Sequence, residues 1–343
     1  MSLIKSFILF CAAALASLPV TACAQDNLGF DAYLELVAAK ARGEGVSESA
    51  IRQVLDGLTE NPRVVALDRG QPGSTAQRDP NYFPPFQPYF RRTVDAARIA
   101  GGRRTLRNLG PLADRVEREY GVPAEILVAI WGKESAYGAV KGDFDLARAL
   151  ATLAYEGRRR DLFEPELIDL MKMVDRGVPR ARLVGSWAGA FGNPQFLPSV
   201  YLRIAKDGDG DGDADIWNSP ADTLASIASY FVDAGWQPGL PWGVPTVVPS
   251  GFDRTLLENP MQAPYCPRVH VRHAPWKTVR EWRALGIVPA APISDDTLVS
   301  LIEPDGPGNT AYLLTSNYRT ILEYNCSNFY ALGVGLLANE IAR

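Results

Sequence analysis

Histidine is nearly absent from this chain. Only His270 and His273 occur in 343 residues. A catalytic metal held by three histidines is therefore excluded, and zinc sites in general lose a usual ligand. No basic run is dense enough to line a phosphate-backbone groove. The 35 Lys and Arg stand against 39 Asp and Glu, for a net charge of −4. Nothing here suggests a groove for a phosphate backbone, so nucleic acid is not the expected partner. There is no Gly-rich phosphate loop and no Gly-x-Ser-x-Gly elbow. Internal repeats and low-complexity tracts are also lacking. What remains is ordinary for a globular protein: 47% apolar and 22% charged residues. The length suits one large domain or two ordinary ones.

The first 24 residues are expected to lie outside the fold. Lys5 precedes an apolar run from Phe7 to Leu18, followed by small residues. That run falls short of the roughly 20 residues a membrane span needs, but it fits an export signal. Its exit can be read in two ways. Val20-Thr21-Ala22-Cys23 resembles a bacterial lipobox, which would lipidate Cys23 and anchor the protein to the outer membrane. Ala22-Cys23-Ala24 also fits ordinary cleavage after Ala24. Both readings place residues 25–343 outside the cytoplasm. Cysteine usage agrees: Cys11 goes with the signal, leaving Cys266 and Cys326 as either a disulfide or two separate buried thiols.

Periodicity predicts a mainly α chain with a small β-containing insertion. Leu34, Val37, Ala38 and Ile51, Val54, Leu55 recur at i, i+3, i+4 within residues 26–60. Residues 70–90, rich in Pro, Gly and aromatics, read as loop or extended chain. Helix is expected over 91–120, 124–135 (with Pro123 in its first turn), 145–156, 161–175, 220–234, 275–286 and 328–342. In the 220–234 segment, Leu224, Ile227, Ala228 and Phe231 make one apolar stripe. Residues 237–264 read as loops with short extended pieces, and strands are expected near 298–302 and 310–315. These connections are too irregular for a doubly wound sheet.

One carboxylate stands out. Glu134 follows Leu127, Ile130 and Trp131 by seven, four and three residues, which puts all four on one helix face. Burial disfavours the ionised form, and so does the negative end of the helix dipole. A protonated Glu near neutral pH is what a glycosidic oxygen needs as general acid. The competing reading is a structural Glu paired with Arg. No second carboxylate presents itself clearly; Asp143 and Asp145 are the nearest downstream. Residues 185–198, Gly-Ser-Trp-Ala-Gly-Ala-Phe-Gly-Asn-Pro-Gln-Phe-Leu-Pro, are rich in small residues that let backbone approach a ligand. Trp187, Phe191 and Phe196 are candidates for stacking on sugar faces, against a reading as a tight packing loop.

Asp207-Gly-Asp-Gly-Asp-Gly-Asp-Ala-Asp215 sets five carboxylates in nine residues. Hard oxygen ligands at alternate positions suit calcium. Starting at Asp207 puts Asp209 and Asp211 at positions three and five and Gly212 at the sharp turn, with the Asp213 backbone carbonyl at seven. The bidentate Glu of position twelve is replaced by Asn218, so Asp222 is expected to reach back from the next helix. Asp222 also suits the third position of a helix capped by Ser219. The alternative is a solvated acidic loop without a fixed ion.

Together these segments carry a resemblance. Glu134-Ser135-x-x-Gly138, the 186–198 segment, Ala228-Ser229-Tyr230-Phe231 with Gly235-Trp236, and Tyr324-Asn325-Cys326-Ser327 with Tyr330-Ala331-Leu332 resemble the membrane-bound lytic murein transglycosylase B family. The resemblance covers essentially all of residues 25–343 and implies a lysozyme-like α core at about 105–236. It implies cleavage of the MurNAc–GlcNAc β-1,4 bond of peptidoglycan without water. The muramyl C6 hydroxyl attacks its own C1, and Glu134 serves as acid and then as base, so one carboxylate suffices. Hydrolysis of the same bond, and non-catalytic glycan binding, are the competing functions. By motif matching, Ser135, Ser186 and Gln195 would contact glycan, and Tyr230, Tyr324, Asn325 and Tyr330 would add platform and polar contacts. Asn193 receives no role. The resemblance also includes an EF-hand-like calcium loop at 207–215. It implies peptidoglycan strands as partner, a Gram-negative periplasm as the place of work, and cell-wall synthesis or division complexes as possible company. Two further signals stay weak: His270-x-x-His273 reads as a surface or strand pair, and Arg158-Arg159-Arg160 as a solvated face or a contact for peptide carboxylates.

Overall fold

The computed structural model describes residues 29–71, 84–260, 263 and 266–343. The export signal, Cys23 and the cleavage sites considered above lie outside the described residues. The chain opens with α1 (Phe30–Gly43), α2 (Glu48–Leu55) and α3 (Pro62–Arg69), followed by α4 (Gln87–Thr93), α5 (Ala96–Leu109) and α6 (Pro111–Tyr120). Then come α7 (Ala124–Ser135), α8 (Leu146–Glu156), α9 (Arg160–Asp175), α10 (Pro198–Ile204) and α11 (Pro220–Asp233). The last helices are α12 (Pro267–His270), α13 (Val279–Ala284), α14 (Ser316–Tyr324) and α15 (Asn328–Ala342). Side-chain caps explain many of the starts. Ser47, Asp95, Asp145, Ser219 and Ser327 each accept a backbone N–H of the first turn. Thr278 and Glu281 form a reciprocal capping box on α13.

The strands are few. β1 (Phe144–Asp145) and β2 (Val184–Gly185) make a short antiparallel pair, with Phe144 opposite Gly185. β3 (Gly243–Thr246), β4 (Lys277–Thr278), β5 (Leu298–Ile302) and β6 (Ala311–Leu314) form an antiparallel sheet in the order β3-β6-β5-β4. This sheet closes over a small core of its own around Trp282, Val299 and Leu313. The mainly helical chain with a small β insertion matches the expectation from sequence, although residues 87–90 are helical and not loop.

Two helical cores surround the site. One gathers α1, α2, α8 and α9 with Phe191, Phe196 and Trp217. The other gathers α7, α11, α14 and α15. Helix α7 is buried on every side from Ile126 to Gly132, as expected of a helix at the centre of a bundle. The single-face argument for Glu134 thus understates how enclosed its helix is. Tyr324 packs against both cores, so the functional segments meet at the junction between them.

Candidate active site

Glu134 is the penultimate residue of α7, and the chain beyond it turns back sharply. Ala136 and Tyr137 both adopt positive φ, at 51° and 61°. Such strain persists only where surroundings hold it. Here the Tyr137 ring folds back on the helix and its hydroxyl donates to the Arg98 carbonyl at 2.7 Å. Gly132 permits this: a Cβ there would stand 2.5 Å from the Tyr137 ring. The sharp helix end leaves the Glu134 carboxyl half-buried at the junction of the two cores.

Tyr330, on α15, donates to Glu134 Oε1 at 2.5 Å. Burial raises the Glu134 carboxyl to about 7, against the opposing effects of the Tyr330 hydrogen bond and the Lys133 charge. The carboxyl is therefore poised between acid and base near neutrality. Asp145 is engaged elsewhere: it caps α8 and pairs with Arg180 at 2.7 Å. Asp143 is exposed on the loop before β1.

The other expected contacts fall into place unequally. Tyr324 lies nearly parallel to Tyr330, with ring centres 6.4 Å apart, and donates to the Pro194 carbonyl at 2.6 Å. This fixes the adjacent Gln195, whose φ of 53° is again left-handed and whose amide donates to the Gly192 carbonyl at 2.8 Å. Tyr230 packs 4.7 Å from Tyr324 and donates to the Glu323 carbonyl at 2.7 Å. Tyr230, Tyr324 and Tyr330 thus form one aromatic wall leading to Glu134, with their hydroxyls bonded to protein groups. Asn325 is exposed where α14 ends.

Ser135 and Ser186 serve the backbone. Ser135 is 1% exposed, and its hydroxyl donates to the Asn193 carbonyl at 2.8 Å and accepts from Gly138 N–H. It ties the end of α7 to the 192–195 loop and does not face solvent. Ser186 is half-buried and accepts the Ala190 N–H at 3.0 Å, which closes a tight turn. Asn193, given no role from sequence, is buried and donates to Thr223 Oγ at 2.9 Å. Phe191 and Phe196 are core residues and not sugar platforms: Phe191 stacks on Trp217 at 5.0 Å. Sequence reading missed Lys133, Tyr137 and Asn193; Gly101 and Gly132, both against the Tyr137 ring, were the available signal for Tyr137.

The aspartate loop brings together Asp207, Asp209 and Asp211, each offering a carboxylate oxygen within 4.8 Å of the others. Asp207 also accepts the N–H groups of Gly210 and Gly212 at 2.6 and 2.8 Å, which holds its carboxyl below the usual range. Asp213 and Asp222 stand outside this triad. The Asp213 carboxylate pairs with Arg182 at 2.6 Å. Asp222 is buried and accepts Gly208 N–H and Asp215 N–H, each at 2.7 Å, so it clamps the loop ends. Three clustered, exposed oxygen donors with no cationic side chain among them fit a hard divalent cation.

Cys266 and Cys326 are joined as a disulfide, with α-carbons 5.9 Å apart. It ties the segment before α12 to the turn between Tyr324 and Tyr330. The histidines are neither a surface pair nor strand residues. His273 is 4% exposed and bonds Asn328 Oδ1 at 2.7 Å, and burial pushes it down to about 4. The arginine run is structural: Arg158 and Arg159 both bind the buried Asp68, and Arg160 donates to the Ala154 carbonyl. That pins α3 beside α8. Among the described residues, no helix is long and apolar enough to cross a membrane.

Comparison with known proteins places this geometry. Residues 29–339 match the family model described as transglycosylase SLT domain. The membrane-bound lytic murein transglycosylase B of Escherichia coli K12 is 34% identical over 235 residues, 67% of this chain and 60% of that relative. The chain thus spans less than two thirds of that relative's length. The crystal structure of SltB3 from Pseudomonas aeruginosa with NAG-anhNAM-pentapeptide superposes with a TM-score of 0.81 at 35% identity, covering 92% of this chain and 80% of that one. The Escherichia coli lytic transglycosylase Slt35 in complex with calcium gives 0.72 at 26% identity, covering 92% and 93%.

Proposed function

The chain belongs to the transglycosylase SLT domain family, and from that premise we propose that it is a lytic transglycosylase of peptidoglycan. It cleaves the MurNAc–GlcNAc β-1,4 bond and forms a 1,6-anhydromuramyl product. The observation that carries this reading is Glu134, a half-buried carboxyl raised to about 7, with Tyr330 bound to it and Lys133 as the charge acting on it. Protonated, it donates to the leaving glycosidic oxygen; as carboxylate, it then takes the proton of the C6 hydroxyl. A hydrolase needs a second carboxylate to act as nucleophile or to activate water. Asp145 is held by Arg180 and the start of α8, which favours the one-carboxylate route.

The glycan strand lies along Tyr230, Tyr324 and Tyr330, with Gln195 on the opposite loop. Ser135, Ser186 and Asn325 act there by shaping the loop and the turn, or through backbone groups. Calcium sits on Asp207, Asp209 and Asp211 and fixes the loop ahead of α11; the Asp213 carbonyl and Asp222 complete or brace the site. One relative has been crystallised with calcium, which supports the choice of ion. The protein works in a Gram-negative periplasm, lipid-anchored to the outer membrane if Cys23 is modified. Its E. coli relative is named as membrane-bound.

Mass spectrometry of peptidoglycan digested by residues 25–343 tests the activity. Muropeptides lighter by one water than lysozyme products, absent with Glu134→Gln, are the expected result. Reducing-end muramic acid would mean hydrolysis instead. No product from folded protein on intact sacculi would point to a binding protein.

A further inference from the structure

Lys133 precedes Glu134 on α7, and its half-buried side chain runs into an aromatic setting. Its ammonium donates to Tyr89 Oη at 3.0 Å. It lies 4.8 Å from the centre of the Tyr89 ring and 5.7 Å from that of Tyr330. Gly333 of α15 leaves room for it: a Cβ there would stand 3.3 Å from Nζ and 3.4 Å from the Tyr89 ring. The helix that supplies Tyr330 thus also carries the gap that admits the ammonium.

We propose that Lys133 is a positioning residue that tunes Glu134 through Tyr330. A cation over a phenol face is attracted to the ring and draws electron density from it. The hydroxyl then becomes a stronger donor to Glu134, and the carboxylate left after proton transfer is stabilised. This rests on the reading of Glu134 as acid and then base. A group with both duties works best with a pKa near the operating pH. Burial alone drives Glu134 upward, and Lys133 with Tyr330 restrains it.

The neighbouring groups set the sign. Glu134 on α7 favours the ammonium, while burial, Arg98 of α5 and Arg92 of α4 oppose it and lower Lys133 to about 8. Arg98 is itself held by the Gly132 carbonyl at 2.6 Å. Tyr89 of α4, Tyr324 of α14 and Tyr330 of α15 are all raised by burial and stay neutral across the working range.

The test is the pH profile of anhydromuropeptide formation by wild type, Lys133→Met, Lys133→Arg and Tyr89→Phe. Activity falls at alkaline pH as Glu134 loses its proton. Lys133→Met removes the stabilising charge, so this limb should move up by about one unit. Lys133→Arg keeps the charge and should leave the limb close to wild type. Tyr89→Phe removes an acceptor of the ammonium and should shift the limb the same way by less; it carries the test if Lys133→Met fails to fold by circular dichroism. Loss of rate at every pH, with the limb unmoved in the folded variants, would overturn the inference and leave Lys133 a packing residue. Wild-type protein yielding no anhydromuramyl product would remove the reading of Glu134, and the inference with it.

Discussion

At the end of α7 a single carboxyl sits among aromatic rings, and burial carries it up to about 7. In the loop from Asp207 to Asp215, five carboxylates crowd into nine residues, and backbone N–H groups hold Asp207 below its usual range. The first region keeps charge off a carboxyl so that a proton can be transferred. The second gathers charge that backbone N–H groups and a few side-chain donors balance only in part. The difference lies in the neighbours: apolar and phenolic groups on one side, main-chain donors and the Arg182, Asn218 and Ser219 side chains on the other.

The largest break in this contrast is Glu134→Gln. Loss of the acid should lower turnover by roughly 10²–10⁴-fold, measured as product release from sacculi. Its stability effect has a definite sign. In the folded protein this carboxyl is raised from 4.5 to about 7, so the unfolded chain ionises first. Wild-type stability is thus lost progressively as pH rises through that window, and the Gln variant escapes the loss. Variant and wild type should melt together near pH 4, and above pH 7 the variant should be more stable by about 2 kcal/mol, discounted for partial exposure. Thermal melts at the two pH values check this.

Next in size is Asp222→Ala, which leaves the half-buried Gly208 and Asp215 N–H groups without their acceptor. We expect a stability loss of about 3 kcal/mol, read as a lower melting temperature. Stripping divalent ions with chelator comes third. With calcium at a hundredfold its dissociation constant, removal should cost about 2.7 kcal/mol, and Asp207→Ala with Asp211→Ala should abolish the difference between calcium and chelator. An unchanged melt in chelator would make the loop a solvated acidic turn. The smallest effect sharpens the contrast from the other side. Asp143→Ala should change turnover by less than about twofold, since it belongs to neither region; a loss resembling that of Glu134→Gln would reveal a second catalytic carboxylate.

How far these regions were legible follows from the range of the interactions involved. Helix α7, β5 and α15 were readable to the residue or nearly so, because their apolar patterns are local. Glu134 was readable because its apolar neighbours lie within two turns. The short helices α3, α4, α10, α12 and α14 were not anticipated, since four to nine residues barely define a period. The role of Ser135 was hidden because its partner, Asn193, lies 58 residues away. The arginine run misled for the same reason: Asp68, which it binds, is some 90 residues distant. Lys133 drew no reading from sequence, because Tyr89 of α4, to which it donates, lies 44 residues away.

The hydrogen bond between Tyr330 and Glu134 spans 196 residues of sequence, and that separation bears on when the enzyme acquires its chemistry. A contact of such separation requires a long loop to close before it forms. Until α15 docks, the junction beside α7 lacks Tyr330 and much of the apolar cover that raises Glu134. An immature chain therefore carries an ordinary, ionised glutamate at this position and no aromatic wall. The acid–base character of Glu134 thus arises with the docking of α15 and not with synthesis of the acid itself.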